Sequence, residues 1–136
     1  MARITNITPA NFLGAILASP RVLGSKVSEI ITAVTEKGTV TQNTAITTAV
    51  TLNKQSGVIT TVSSTLAAGS NASFTVNNNK CYSDSVVMLT VDDSASAGLA
   101  KLNVQSVANG SFVVNITNIH GANASNNVIK IHFTII

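Results

Sequence analysis

Beyond Gly38 the apolar residues stop recurring at every third or fourth position and begin recurring at every second one. That change of period constrains the fold more than any other feature of the chain. A period near 3.6 lays apolar side chains along one stripe of a helix, and a period of two lays them on one face of a strand. The stretch GVITTVSSTLAAGSNASFTVNN, Gly57 to Asn78, alternates, breaks on small residues and alternates again without a single charge. Ala72, Phe74 and Val76 fall on one face; Ser73, Thr75 and Asn77 fall on the other. At the end of the chain Ile129, Ile131, Phe133 and Ile135 oppose Lys130, His132, Thr134 and Ile136. One-sided alternation of this kind belongs to antiparallel sheets with one buried and one solvated face.

The pattern predicts strands near 39–42, 46–52, 58–63, 72–77, 85–91, 101–107, 111–116 and 128–135. Turn-rich breaks such as NKQSG, AAGSN, DDSASAG and HGANASNN separate them. In the segment 101–107, Leu102, Val104 and Ser106 alternate with Lys101, Asn103, Gln105 and Val107. Asn109-Gly110 between two apolar runs predicts a tight hairpin with a type I′ turn. SVVMLTV, Ser85 to Val91, is apolar on both faces and suits either a central strand or a strand under a subunit contact. Eight short strands at this spacing predict a mainly β domain, an antiparallel β-sandwich of jelly-roll-like type, over residues 39–136.

Residues 1–38 read differently. Thr8-Pro9 can start a helix on whose face Phe12, Leu13, Ile16 and Leu17 lie, with Pro20 ending it. Ser25 can cap a second helix carrying Val27, Ile30, Ile31 and Val34 at positions i, i+3, i+4 and i+7, and Gly38 can stop it. Two apolar helices are more than one small sandwich needs to bury. The expectation is an N-terminal arm of one or two short helices, residues 1–38, that either caps an open end of the sandwich or docks on another chain.

Little in the chain carries chemistry. Only 10% of its residues are charged, against about 25% in ordinary globular domains. The eight basic residues are scattered, so the footprint of a nucleic-acid-binding protein is missing. Asp92 and Asp93 are adjacent and on a strand would face opposite sides, which fits poorly with a glycosidase pair; without Asp-x-Asp-x-Asp spacing they read as turn acids rather than cation ligands. His120 and His132 are distant from each other in sequence, and with one cysteine they fall short of a zinc set. Cys81, the lone cysteine, reads as a small buried side chain. Phosphate-loop and nucleophile-elbow motifs are absent. Phe74, Phe112 and Phe133 sit at inward positions of the alternation, and Tyr82 is the aromatic expected at the surface. No enzyme activity and no cofactor are expected. No apolar run approaches the ~20 residues that span a bilayer, and no signal peptide opens the sequence, so a soluble chain made in a cytoplasm is expected.

GTVTQNTAITTAVTLNKQSGVITTVSSTLAAGSNASFTVNN, Gly38 to Asn78, resembles a repeated pattern of small structural proteins of tailed bacteriophages. The likeness continues through SDSVVMLTV and NGSFVVNITN, and SEIITAVTEKG before it fits as well, so it runs from Ser28 to the C-terminus. The chain is similar to short capsid-associated proteins, among them head decoration (cement) proteins and fibre or knob modules. The resemblance implies a β-sandwich that assembles on a virion surface, often as a trimer, with the major capsid protein as partner. It brings no catalytic motif. On that reading Arg3, Ile4, Phe12, Leu13, Ile16, Leu17, Arg21 and Lys26 are the candidate contacts with the shell. The alternative is a receptor- or glycan-binding module of a fibre.

Overall fold

The computed structural model describes residues 37–92 and 100–136. The two expected helices and Asp93 lie outside them. The described part is mainly β, with eight strands: β1 (Lys37–Thr41), β2 (Val50–Thr51), β3 (Ser56–Thr60), β4 (Asn71–Asn77), β5 (Val87–Asp92), β6 (Ala100–Ala108), β7 (Ser111–Asn118) and β8 (Lys130–Ile135). They form two four-stranded sheets, in the orders β1-β3-β8-β5 and β2-β4-β7-β6.

All eight strands fall where the alternation places them, but the sheets are not wholly antiparallel. β1 pairs parallel with β3, and β2 parallel with β4. The cause is the path of the chain. From β1 to β4 consecutive strands alternate between the sheets, so strands two apart return to the same sheet running the same way. The remaining pairings are antiparallel: β8 lies between β3 and β5, and β7 between β4 and β6.

The inner faces of both sheets supply one core. Ile59, Ile131, Phe133 and Ile135 come from one sheet, and Phe74, Val76, Phe112, Val114 and Ile116 from the other, all buried. Each such side chain contributes about 1.5–3 kcal/mol by leaving water. The three phenylalanines lie inward as their alternation predicts, and Val and Ile fill the remainder. Gly38 and Gly57 are register partners on β1 and β3. A Cβ on Gly38 would stand 2.6 Å from Leu52 Cδ1, and one on Gly57 2.7 Å from Leu52 Cδ2. Two adjacent glycines therefore open the hollow that Leu52 fills. Gly38, expected as a helix stop, is the second residue of a strand.

Three local features depart from the simple alternation. The run 46–52 yields only the two-residue β2, because the preceding loop wraps around one side chain. The buried Gln42 donates through Nε2 to the carbonyls of Ile46 (2.9 Å) and Thr48 (2.6 Å), and Thr44 turns the chain with φ 74°. In β6 the register slips between Val104 and Ser106, a β-bulge at Gln105. The bulge exposes Gln105 and Ser106 together and turns Val107 inward, reversing the faces that alternation assigns to Ser106 and Val107. The hairpin at Asn109-Gly110 forms, but only Gly110 takes a positive φ, 84°. That is the signature of a type II turn, not type I′. Contacts outside the hairpin hold it so: Asn109 Oδ1 accepts from Ser83 N–H (2.9 Å), and Gly110 N–H donates to the Cys81 carbonyl (2.8 Å).

Candidate functional site

The side chains capable of chemistry are dispersed. Cys81 is buried; its Sγ lies 3.5 Å from the Ser111 carbonyl. Burial pushes the thiol pKa up, partly opposed by a backbone hydrogen bond from Ala108, so this is a poor nucleophile. His120 serves its own turn: Nδ1 accepts from the amides of Ala122 (3.1 Å) and Asn123 (2.9 Å). His132 lies exposed on the outer face of β8, in register with Val58 on one side and Thr90 on the other. Among the described residues no three His, Cys, Asp or Glu side chains come together as a metal cluster. A pocket between Leu66, Ile116, Asn118 and Ile129 encloses about 10 Å³, roughly the room of one water.

The surface with the strongest physical character is the edge formed by β5 and its approach. Tyr82 is 60% exposed, Val86 60%, Met88 58% and Ile136 71%. The turn before β5 is fixed by Ser85, whose N–H donates to the Tyr82 carbonyl (3.0 Å) while its Oγ accepts from Tyr82 N–H (3.1 Å). Val86 and Ile136 exchange both backbone hydrogen bonds, at 2.9 and 2.8 Å. In an antiparallel pair such residues alternate with others whose N–H and C=O point the opposite way. Met88 and Thr90 therefore bond toward β8, and the N–H and C=O groups of Val87, Leu89 and Val91 point away from it. No strand among the described residues takes them up.

SVVMLTV thus occupies the sheet edge, and its reading as a central strand is corrected. Its inward residues Val87, Leu89 and Val91 are only half-buried, and its outward Val86 and Met88 are exposed. The inner, central positions belong to β3 and β8, whose outer faces carry Ser56, Val58 and Thr60, and Lys130, His132 and Thr134. Doubled apolar character marks an edge here because nothing described covers the second face.

The outer face of the other sheet carries Lys101 and, beside it, a row of neutral side chains that are cross-linked. Thr117 Oγ1 donates to Asn115 Oδ1 (3.1 Å), Asn115 Nδ2 donates to Ser73 Oγ (2.8 Å), and Ser73 Oγ donates to Gln105 Oε1 (2.7 Å). The bulge at Gln105 lets its amide reach β4 across β7. Neither this chain of hydrogen bonds nor the open β5 edge was assigned as a site from sequence. The signal for the second was present in the two apolar faces of 85–91. Arg3, Ile4, Phe12, Leu13, Ile16, Leu17, Arg21 and Lys26 all lie outside the described residues.

No family model, curated protein or solved structure matches the chain. Among the described residues no helix is long and apolar enough to cross a membrane.

Proposed function

We propose that the chain is a non-enzymatic structural protein of a tailed-bacteriophage virion, decorating and stabilising the capsid through oligomeric contacts. On this reading its two facing sheets are a β-sandwich set on the outer surface of the head. The observation that carries the proposal is the β5 edge: a segment free of charge from Ser85 to Val91, with Val86 and Met88 exposed beside backbone groups that no strand among the described residues pairs. Permanent assemblies use apolar contacts of this kind. The hydrogen-bonded ladder from Thr117 to Gln105, flanked by Lys101, supports the same reading, since it gives a polar outer face of low charge. The sequence resemblance from Ser28 onward supplies the virion context.

The shell contact is assigned to residues 1–38, through Arg3, Ile4, Phe12, Leu13, Ile16, Leu17, Arg21 and Lys26, and to one sandwich edge, with the major capsid protein as partner. A decorating protein bound across neighbouring capsomers stabilises the shell by mass action, because rupture must also break its contacts. The test is to mix the full chain with undecorated phage heads and follow mass by light scattering and rupture by heating. Stoichiometric binding with a raised rupture temperature is expected, and deletion of residues 1–24 should abolish both. A chain that ignores heads but adheres to host cells would replace this reading with the fibre-module alternative.

A further inference from the structure

Sheet edges are hazardous because unpaired backbone groups template pairing with other chains, and natural sheets blunt them. Two of the four edges described here are blunted, and a third is polar. β2 is two residues long, β6 carries Lys101 and the bulge at Gln105, and β1, though regular, exposes Lys37, Thr39 and Thr41. β5 has none of these devices before Asp92: no proline, no bulge, no charge. An edge that is both regular and apolar on its exposed side, where its counterparts are short, bulged or polar, suits a partner strand.

We propose that β5 pairs antiparallel with β5 of a second copy, about a two-fold axis at Leu89. The register follows from the hydrogen-bonding pattern. The outward N–H and C=O groups belong to Val87, Leu89 and Val91, a set symmetric about its middle member. Placing Leu89 opposite Leu89 of the partner subunit sets Val87 opposite Val91 of the partner subunit, and every outward group then meets its complement. A shift by one residue would set outward groups against inward ones. Side chains agree with this register. The half-buried Val87, Leu89 and Val91 meet one another on the inner face, and Met88 meets the partner subunit's Thr90 on the outer face. No like charges oppose each other. The contact is isologous, so it yields dimers or assemblies of dimers, where the resemblance implies trimers. It depends on the proposed function only for its use, as the self-contact of a decorating protein.

The test uses full-length variants Met88→Cys and Thr90→Cys. In the proposed register residues 88 and 90 of opposite chains form a non-hydrogen-bonded pair, with Cα atoms about 4.5 Å apart, within disulfide range. Under mild oxidation a mixture of the two variants should give a covalent dimer. Each variant alone should give none, since like positions lie two residues out of register. Cys81 is buried and should not compete. Independently, Met88→Lys with Thr90→Lys, both at exposed positions, sets lysine opposite lysine across the proposed register and should lower the light-scattering mass from about twice 14.0 kDa to that of one chain without changing the circular dichroism. A single-chain mass for the unmodified protein, or cross-linking of Met88→Cys with itself, overturns the pairing. Because no heads are present, cross-linking without head binding would retain this contact and remove the virion reading. Head binding without the 88–90 cross-link would do the reverse.

Discussion

Phe112 on β7 and Phe133 on β8 meet between the two sheets, with ring centroids 5.5 Å apart and planes tilted by 55°. Both rings are buried, so this contact couples the sheets directly. Tilted aromatic pairs add about 0.5–1.5 kcal/mol beyond their buried area. Replacing either with Ala should cost about 3–5 kcal/mol in urea unfolding. The double variant should cost less than the two single losses added together, because the pair contact is counted twice in that sum. Strict additivity would mean that the rings contribute only as separate core fillers.

Gly57 offers a sharper steric test. A Cβ there would stand 2.7 Å from Leu52 Cδ2, 2.8 Å from the Gly38 carbonyl oxygen and 3.0 Å from Phe133 Cε1. The Leu52 methyl can move; the β1 backbone cannot move without loosening its parallel pairing. Gly57→Ala should therefore destabilise by about 1–3 kcal/mol, the usual cost of overpacking. Gly121→Ala, where nothing lies within 4 Å, should stay within about 0.5 kcal/mol. Equal melting temperatures for the two variants would show that β1 and Leu52 yield freely.

Such steric detail was only partly legible in the chain. Strand positions were readable because Ala72–Asn77 and Ile129–Ile136 alternate without interruption. The bulge at Gln105 was not, since Leu102 to Val107 alternate on paper and the slip arises from how β6 pairs with β7. Gly38 followed a helical pattern and so resembled a stop, yet it serves Leu52, a partner fourteen residues away. The position of SVVMLTV was ambiguous for a physical reason. A strand covered on both faces by its own fold and one covered by a second subunit need the same side chains. Parallel pairing of β1 with β3 depends on the alternation of strands between sheets, which no local pattern records.

Asn118 shows what a buried amide does in this fold. Its Nδ2 donates to the carbonyls of Leu66 and Asn123, both at 2.9 Å, and its Oδ1 accepts from His120 N–H at 3.0 Å. The side chain thus ties the end of β7 to segments around residues 66 and 123. Asn118→Ala leaves two carbonyls and one N–H to find other partners and should cost about 3 kcal/mol. Hydrogen exchange should distinguish this from a simple cavity. Amide protection should fall at Leu66 and Ser125, which bond each other at 2.8 Å in both directions, more than in β4 or β8. Uniform loss of protection would show that Asn118 acts through the whole core.

The last prediction concerns pH. Cys81 is held protonated by burial, so its thiol pKa lies above the ordinary value near 8.5. In the unfolded chain the thiol ionises at that ordinary value. Between the two pKa values the folded state binds more protons than the unfolded state, and stability falls as pH rises. Its contribution is complete below about pH 8.5 and is lost progressively above it. Unfolding free energy should thus decline from about pH 8.5 upward, and Cys81→Ala should flatten that decline while lowering stability at neutral pH through the lost packing. Alkylation should follow the same logic: iodoacetamide should modify Cys81 only as fast as the fold opens, far more slowly than a free thiol. Rapid alkylation of the native protein at pH 8 would show that the thiol is reached without unfolding, and would remove the basis for the pH slope.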